Sequence, residues 1–318
     1  MRVPSGEIAT HIARHLSELH GESLSPVEIV ERAGGEQGYS GSAIRYYDVT
    51  SRDVRGALRR ETVVSKDAVL LERRILEHLS ARGCAVPPLY MPDPIREGRA
   101  PVYMPYLEAR LPDDSRHPWS PTTLTVADGL AGIHANNLGR RPSWLPLTAD
   151  GYLDRLWLRA WREQWEANLA DPTFRSEFGA CTAGLDAAME QFMAALEALT
   201  AEEDALTLLN VDLHPGHIRF WRGEARFIDW EQASYGPLYL DLPNHFTVET
   251  ALIYRDALAR HGAEIPVLSF MDRFHEMSRY MGLRYLGAAM EEWTAGGKRR
   301  AEARWFLYYT IHLALHGR

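Results

Sequence analysis

The hydrophobic periodicity of this chain changes once, between about residues 107 and 120. Before that point, short runs rich in β-branched and aromatic residues read as strands: VEIVERA (27–33), SAIRYYDV (42–49), RETVVSK (60–66) and PVYMPYL (101–107). They are punctuated by two helical patterns. The first covers 7–20, with Ile8, Ile12, Leu16 and Leu19 on one face. The second covers 68–83, with Val69, Ile75, Leu76 and Leu79 inward and Gly83 at its end. After residue 120 the pattern becomes helical, over 122–138, 150–170 and 184–200, then in three stretches from about 246 to the end. Strands first and helices later exclude an alternating βαβ sheet. They predict an α+β chain with a strand-rich lobe over 1–107 and a helical lobe over 108–318.

Charge and composition narrow the function. A net charge of -8 argues against nonspecific binding to nucleic acid, though it is compatible with a cationic substrate. Cys84 and Cys181 match neither a disulfide framework nor a zinc knuckle. With no signal-like apolar run at the start and no stretch long enough to span a bilayer, a reduced, cytoplasmic protein that is not membrane-bound is expected. Lysine usage is more informative. Of 35 basic residues only Lys66 and Lys298 are lysine. A chain that uses arginine wherever it needs positive charge, yet ends an apolar strand on Lys66, suggests a task for a compact ammonium such as a phosphate contact.

Four local features invite chemistry. Gly34, Gly35, Gly38 and Gly41 make a glycine-dense turn between two strands, where backbone N–H groups could approach a phosphate. A strand follows that turn, so a dinucleotide fold fails, and no Gly-Lys-Ser/Thr is present for a Walker loop. His11 and His15 are spaced for a metal, and Trp157, Trp161 and Trp165 for a ligand-stacking stripe, but packing explains both groups better. The fourth feature is NVDLHPGHIRFWRGEARFIDW (210–230). Asp212 and Asp229 each follow an apolar run, where strand propensity disfavours aspartate. Placed on adjacent hairpin strands or their ends, one could take a proton and the other hold a hard divalent cation.

DLHPGH, FIDWE and the trailing YGPLYLDL resemble the motif block of the aminoglycoside phosphotransferases and their choline-kinase-like relatives. Upstream, VVSKDAVLLERRILEHL is similar to that family's lysine strand and glutamate helix, VYMPYLE to its adenine hinge, and LAGIHANNL to its Leu-Ala-x-Leu-His helix. The likeness runs in order over about residues 30–245. It implies a bilobal protein-kinase-like fold that moves the γ-phosphate of ATP to a small-molecule hydroxyl with Mg2+. On this resemblance Asp212 would be the catalytic base and Asp229 the main metal ligand. Lys66 would contact the phosphates with Glu72 orienting it, and Ser40, Gly41 and Ser42 would cover them. The Pro105 carbonyl and Leu107 N–H would meet adenine, and Asp241 would hold the catalytic loop. The 246–318 tail would be the variable substrate region, with Glu249, Glu276, Glu291 and Glu292 as acidic candidates.

Two positions depart from the family pattern. Asn210 stands where the family has histidine, and His217 where it has the metal-binding asparagine. Imidazole suits magnesium poorly. His217 therefore leaves three alternatives open: a metal site served by Mn2+, one weakened site, or a pseudokinase that binds nucleotide as a regulatory or scaffold module. A further reading takes Asp212, His214 and His217 as a D-x-H-x-x-H hydrolase cluster.

Overall fold

The computed structural model describes residues 6–33, 36–37, 41–92, 97–107, 116–151, 158, 161–202, 205–297 and 299–317. The chain divides into two compact units, one of residues 1–111 with 217–231, the other of 112–216 with 232–318. The division thus falls inside the motif block, between Gly216 and His217.

In the first unit, helix α1 (Gly6–His20) precedes strands β1 (Ser25–Glu31), β2 (Glu36–Gln37), β3 (Ala43–Arg52) and β4 (Leu58–Ala68). Helix α2 (Leu70–Ser80) and strand β5 (Ala100–Pro105) follow. The sheet is antiparallel in the order β1-β3-β4-β5, with β2 also paired to β3. Ile12 and Leu16 of α1 bury against Ile29, Tyr47, Val49, Val63 and Tyr103, so the 3.6-residue face of the helix meets alternate positions of the strands. His15 is buried in α1, and the His11 ring lies 5.8 Å from Tyr90 and 5.7 Å from Tyr103, so both histidines pack. The unit also holds the hairpin of β7 (Ile218–Trp221) and β8 (Glu224–Phe227). Its turn residues Arg222 (φ 52°) and Gly223 (φ 80°) are both left-handed, the twist-matched geometry for a two-residue connection.

The second unit is mostly helical. Helix α3 (Pro121–Asn137) starts with Ser120 capping Thr122 N–H and proline at its first position. Helices α4 (Trp161–Asn168), α5 (Pro172–Phe178) and α6 (Thr182–Thr200) follow. Of the helix expected over 150–170, the described part is a 3-10 turn at Ala149–Gly151 and α4; Trp157 lies outside the described residues. Trp161 and Trp165 are buried, and Trp165 meets Phe174 edge-on at 5.0 Å while its indole N–H donates to Thr182. That stripe is core. Strand β6 (Leu206–Leu209) pairs with β9 (Ser234–Pro237), and α7 (Val248–Arg260), α8 (Val267–Ala295) and α9 (Arg299–His316) complete the unit. The strand before Asp212 therefore partners β9, and the strand before Asp229 partners β7; they are not adjacent hairpin strands. No helix among the described residues is long and apolar enough to cross a membrane.

Candidate active site

The first unit gathers charge around Lys66. Near the end of β4, its ammonium donates to Glu72 Oε1 at 2.7 Å and to Asp229 Oδ1 at 2.8 Å. Glu72 sits on the first turn of α2, 2% exposed, and the Trp230 N–H also approaches its Oε1, at 3.4 Å. Burial alone would lower the Lys66 pKa, but the Glu72 and Asp229 carboxylates outweigh it and hold the ammonium above its usual range. For Glu72 burial wins over Lys66 and pushes the carboxyl up.

Asp229 experiences opposing influences too. Burial favours its neutral form, yet the His217 hydrogen bond and the Lys66 charge prevail, and its carboxyl titrates well below the ordinary range. The His217 Nε2 lies 3.2 Å from Asp229 Oδ2, so each carboxylate oxygen faces a different nitrogen. Asp229 also adopts φ 62°, which places an L-residue in the sparsely populated left-handed region. The segment leading into Asp229 is anchored by Phe227 N–H to Ala85 O at 2.9 Å and by Ile228 N–H to His217 O at 3.0 Å.

As a place for a divalent cation the donor set is mixed. Asp229, Glu72 and Glu231, the last residue of FIDWE, bring one carboxylate oxygen each within 4.8 Å of one another. Glu72 is committed to Lys66. Asp229 also accepts from Lys66, but it is less buried than Glu72, and with Glu231 it suits a hard cation, whereas the His217 imidazole suits Mn2+ better than Mg2+.

The nucleotide-side candidates differ in what holds them. Gly41 takes φ 79°, a conformation that favours glycine. Ser42 is buried, and its hydroxyl accepts from Arg99 Nη1 at 2.5 Å. Ser40 lies outside the described residues. Pro105 pairs with Val63 at the end of β5. The Tyr106 N–H donates to Thr62 O, while Tyr103 exchanges both backbone bonds with Tyr90. Even positions of β5 thus face β4 and odd ones face outward, so the proline costs the ladder no donor and its carbonyl points to the outer edge. Leu107, two residues on, is buried.

The second unit holds Asp212 on a braced turn. Val211 before it adopts φ 70°, a genuine outlier for a β-branched residue. Asp241 offsets that strain: its two oxygens accept the Asn210 and Val211 N–H groups, each at 2.7 Å, in a fully buried setting. His134 reaches the same carboxylate at 3.4 Å, donates or accepts with Tyr254 at 2.6 Å, and accepts from Thr207 through its backbone carbonyl at 2.7 Å. The buried histidine of LAGIHANNL is therefore part of the brace. Past Asp212, His214 Nδ1 accepts the Gly216 N–H at 3.0 Å, and a Cβ on Gly216 would lie 2.5 Å from that ring. A larger residue there would displace the His214 ring.

One partner of Asp212 escaped the sequence reading. Arg284, on α8 and 7% exposed, donates from Nη2 to Asp212 Oδ1 and from Nη1 to the Val211 carbonyl at 3.1 Å. Glu249, Glu276, Glu291 and Glu292 all lie exposed on α7 and α8, and Glu291 accepts from Gln164 at 3.1 Å.

The family model described as "Phosphotransferase enzyme family" matches residues 36–271 of this chain. No curated protein shows significant similarity to it. Among solved structures, the chain is similar to a choline kinase from Cryptosporidium parvum, at 12% identity and a TM-score of 0.58, with 90% of this chain and 88% of that one covered. It is similar to a spectinomycin phosphotransferase in complex with ADP and spectinomycin, at 11% identity and a TM-score of 0.55, covering 99% and 98%. It is also similar to an ethanolamine kinase from Plasmodium vivax, at 13% identity and a TM-score of 0.52, covering 96% and 89%. At such identities the likeness establishes the α+β, protein-kinase-like fold.

Proposed function

From the premise that this chain belongs to the phosphotransferase enzyme family, we propose that it transfers the γ-phosphoryl group of ATP to a hydroxyl group of a small molecule. The observation that carries this reading is Lys66. A chain with two lysines sets one on a strand, 13% exposed, between the carboxylates of Glu72 and Asp229. Such a lysine is kept charged and aimed, which suits an ammonium that contacts nucleotide phosphates. A salt bridge serving stability alone gains little from so much desolvation.

In the proposed reaction the substrate hydroxyl oxygen attacks the γ-phosphorus and the bond to the β,γ-bridging oxygen breaks, releasing ADP. Asp212 accepts the hydroxyl proton, in a role that rewards fixed geometry more than strong basicity. The Asp241 and His134 brace supports that assignment, because it keeps the turn carrying Asp212 in one conformation. Lys66 binds phosphate oxygens, with Glu72 orienting it. Asp229, with Glu231 beside it, would hold a divalent cation, which when bound neutralises phosphate charge. His217 steadies Asp229 through its hydrogen bond and tilts the preference toward Mn2+. Nucleotide use is also in keeping with the ADP held by the spectinomycin phosphotransferase.

The test is a phosphate-transfer screen over aminoglycosides, other antibiotics, amino alcohols and sugars, run with Mg2+ and Mn2+ in parallel. At least one compound is expected to stimulate metal-dependent ADP release, and Asp212→Asn is expected to abolish it. ATP binding with no stimulation by any compound would favour a nucleotide-binding module instead.

A further inference from the structure

Arg284 lies 72 residues from Asp212 in sequence, in a segment that no motif covers. It nonetheless makes two directed contacts with the turn proposed to do chemistry. One guanidinium nitrogen meets the Asp212 carboxylate and another the Val211 carbonyl, so a single planar group spans the backbone and side chain of successive residues. A lysine has no such fork. The Val211 it grips is the residue held at φ 70°.

Arg284 is itself held from several directions. Tyr280, one turn back on α8, is fully buried beside it. The Tyr285 ring lies 5.3 Å from its guanidinium carbon, and the Tyr285 hydroxyl accepts from Asn244 at 3.3 Å. Half a turn from Arg284, Gly282 fixes the helix backbone: a Cβ there would lie 2.2 Å from the Ala314 nitrogen and 2.4 Å from the Thr310 oxygen of α9. So close a backbone approach gives the guanidinium a rigid base. Burial would lower the pKa of this arginine, yet the neighbouring Tyr280 and Asp212 raise it overall.

We propose that Arg284 is a positioning residue for Asp212, holding the carboxylate and the preceding carbonyl in one arrangement so that the base meets the substrate hydroxyl in a fixed orientation. The inference rests on Asp212 being the base. It adds that the orientation comes from the C-terminal helix and not from the motif block alone. Misplacing a reacting group by about 1 Å costs on the order of 100-fold in rate, and that is the scale expected here.

The test uses the full chain with Arg284→Met, Arg284→Lys, Arg284→Ala, Asp212→Asn and the Arg284→Met/Asp212→Asn double variant. Arg284→Met should lower kcat roughly 100-fold while KM for ATP changes less than about twofold. Arg284→Lys should recover part of that loss, and guanidinium ion at non-denaturing concentration should restore part of the turnover of Arg284→Ala. In thermal unfolding, Asp212→Asn should shift the midpoint differently with and without Arg284, because the two side chains are coupled. Additive midpoint shifts would overturn the pairing. Wild-type kcat in Arg284→Met, alongside an inactive Asp212→Asn, would overturn the positioning role and leave the phosphotransfer reading intact. Equal losses in ATP affinity and kcat, with no rescue by lysine or guanidinium, would reduce Arg284 to a structural residue. If Asp212→Asn turns over as wild type, the phosphotransfer assignment fails and this inference falls with it.

Discussion

Asp212 and Asp229 are both tied to a left-handed residue and each meets a cationic side chain, Arg284 and Lys66, but the backbones that carry them are held differently. For Asp212 the strain sits one residue earlier, at Val211, and a buried carboxylate clamps the backbone through two N–H groups. Asp229 carries the strain itself, and its side chain is held by two other side chains, Lys66 and His217. A backbone clamp buried in a hydrogen-bond network is fixed by the fold. Cationic side chains can exchange partners when a phosphate or a metal ion arrives. The contrast suggests a division of labour, with one aspartate fixed before the reaction and the other available to ligand.

The largest break in that contrast comes from the clamp. Asp241→Ala leaves the Asn210 and Val211 amides unsatisfied and Val211 without the contacts that offset its conformation. It should cost about 4 kcal/mol in urea unfolding and abolish turnover. Loss of activity without loss of stability would show that the clamp is not what holds the turn. Lys66→Met acts on the other side. It leaves Glu72 buried without its counter-ion, an effect of about 3 kcal/mol, and should weaken ATP binding many-fold. Unchanged nucleotide affinity would detach Lys66 from the proposed site.

A smaller effect compares the two units through pH. Buried His15 in the first unit has its pKa depressed to about 4, and buried His245 in the second to about 3, in each case chiefly by desolvation. Among the described residues, both nitrogens of His245 and Nε2 of His15 have no hydrogen-bond partner. Because the folded pKa lies below the unfolded value near 6.5, the stability each neutral ring contributes is present above that pH and is lost as pH falls toward the folded pKa. By pH 5 the loss should be about 2 kcal/mol per histidine. His15→Phe should flatten the acid limb of unfolding for the first unit, and His245→Phe for the second. A limb unchanged in both variants would place the acid sensitivity elsewhere.

Much of this arrangement is legible in the sequence, for identifiable reasons. The strands and helices follow from periodicity, and the observed β3, β4, β5 and α6 begin or end within about three residues of the expected ranges. Lys66 stands out because lysine is so rare, and Glu72 because the following helix brings it onto the first turn. Strand pairing is less accessible. Two aspartates after apolar runs look like a hairpin, but β6 is buried at all four positions and pairs with β9, leaving β7 to β8. The contact of Ser42 with Arg99, 57 residues on, leaves no mark in the sequence. Left-handed valine has no compositional mark at all. Arg284 is hidden in a tail of ordinary amphipathic helices among 33 arginines, so only three-dimensional contact reveals it.

The division of labour is tested most directly by measuring metal-dependent ATP binding and phosphoryl transfer side by side in Asp212→Asn and Asp229→Asn. Both variants should lose transfer, at least about a thousandfold. Asp212→Asn should keep near-wild-type metal-dependent ATP binding, whereas Asp229→Asn should lose its metal dependence. If Asp212→Asn loses binding as severely as Asp229→Asn, or if Asp229→Asn binds ATP with the wild-type metal response, the two aspartates do not divide the work as proposed.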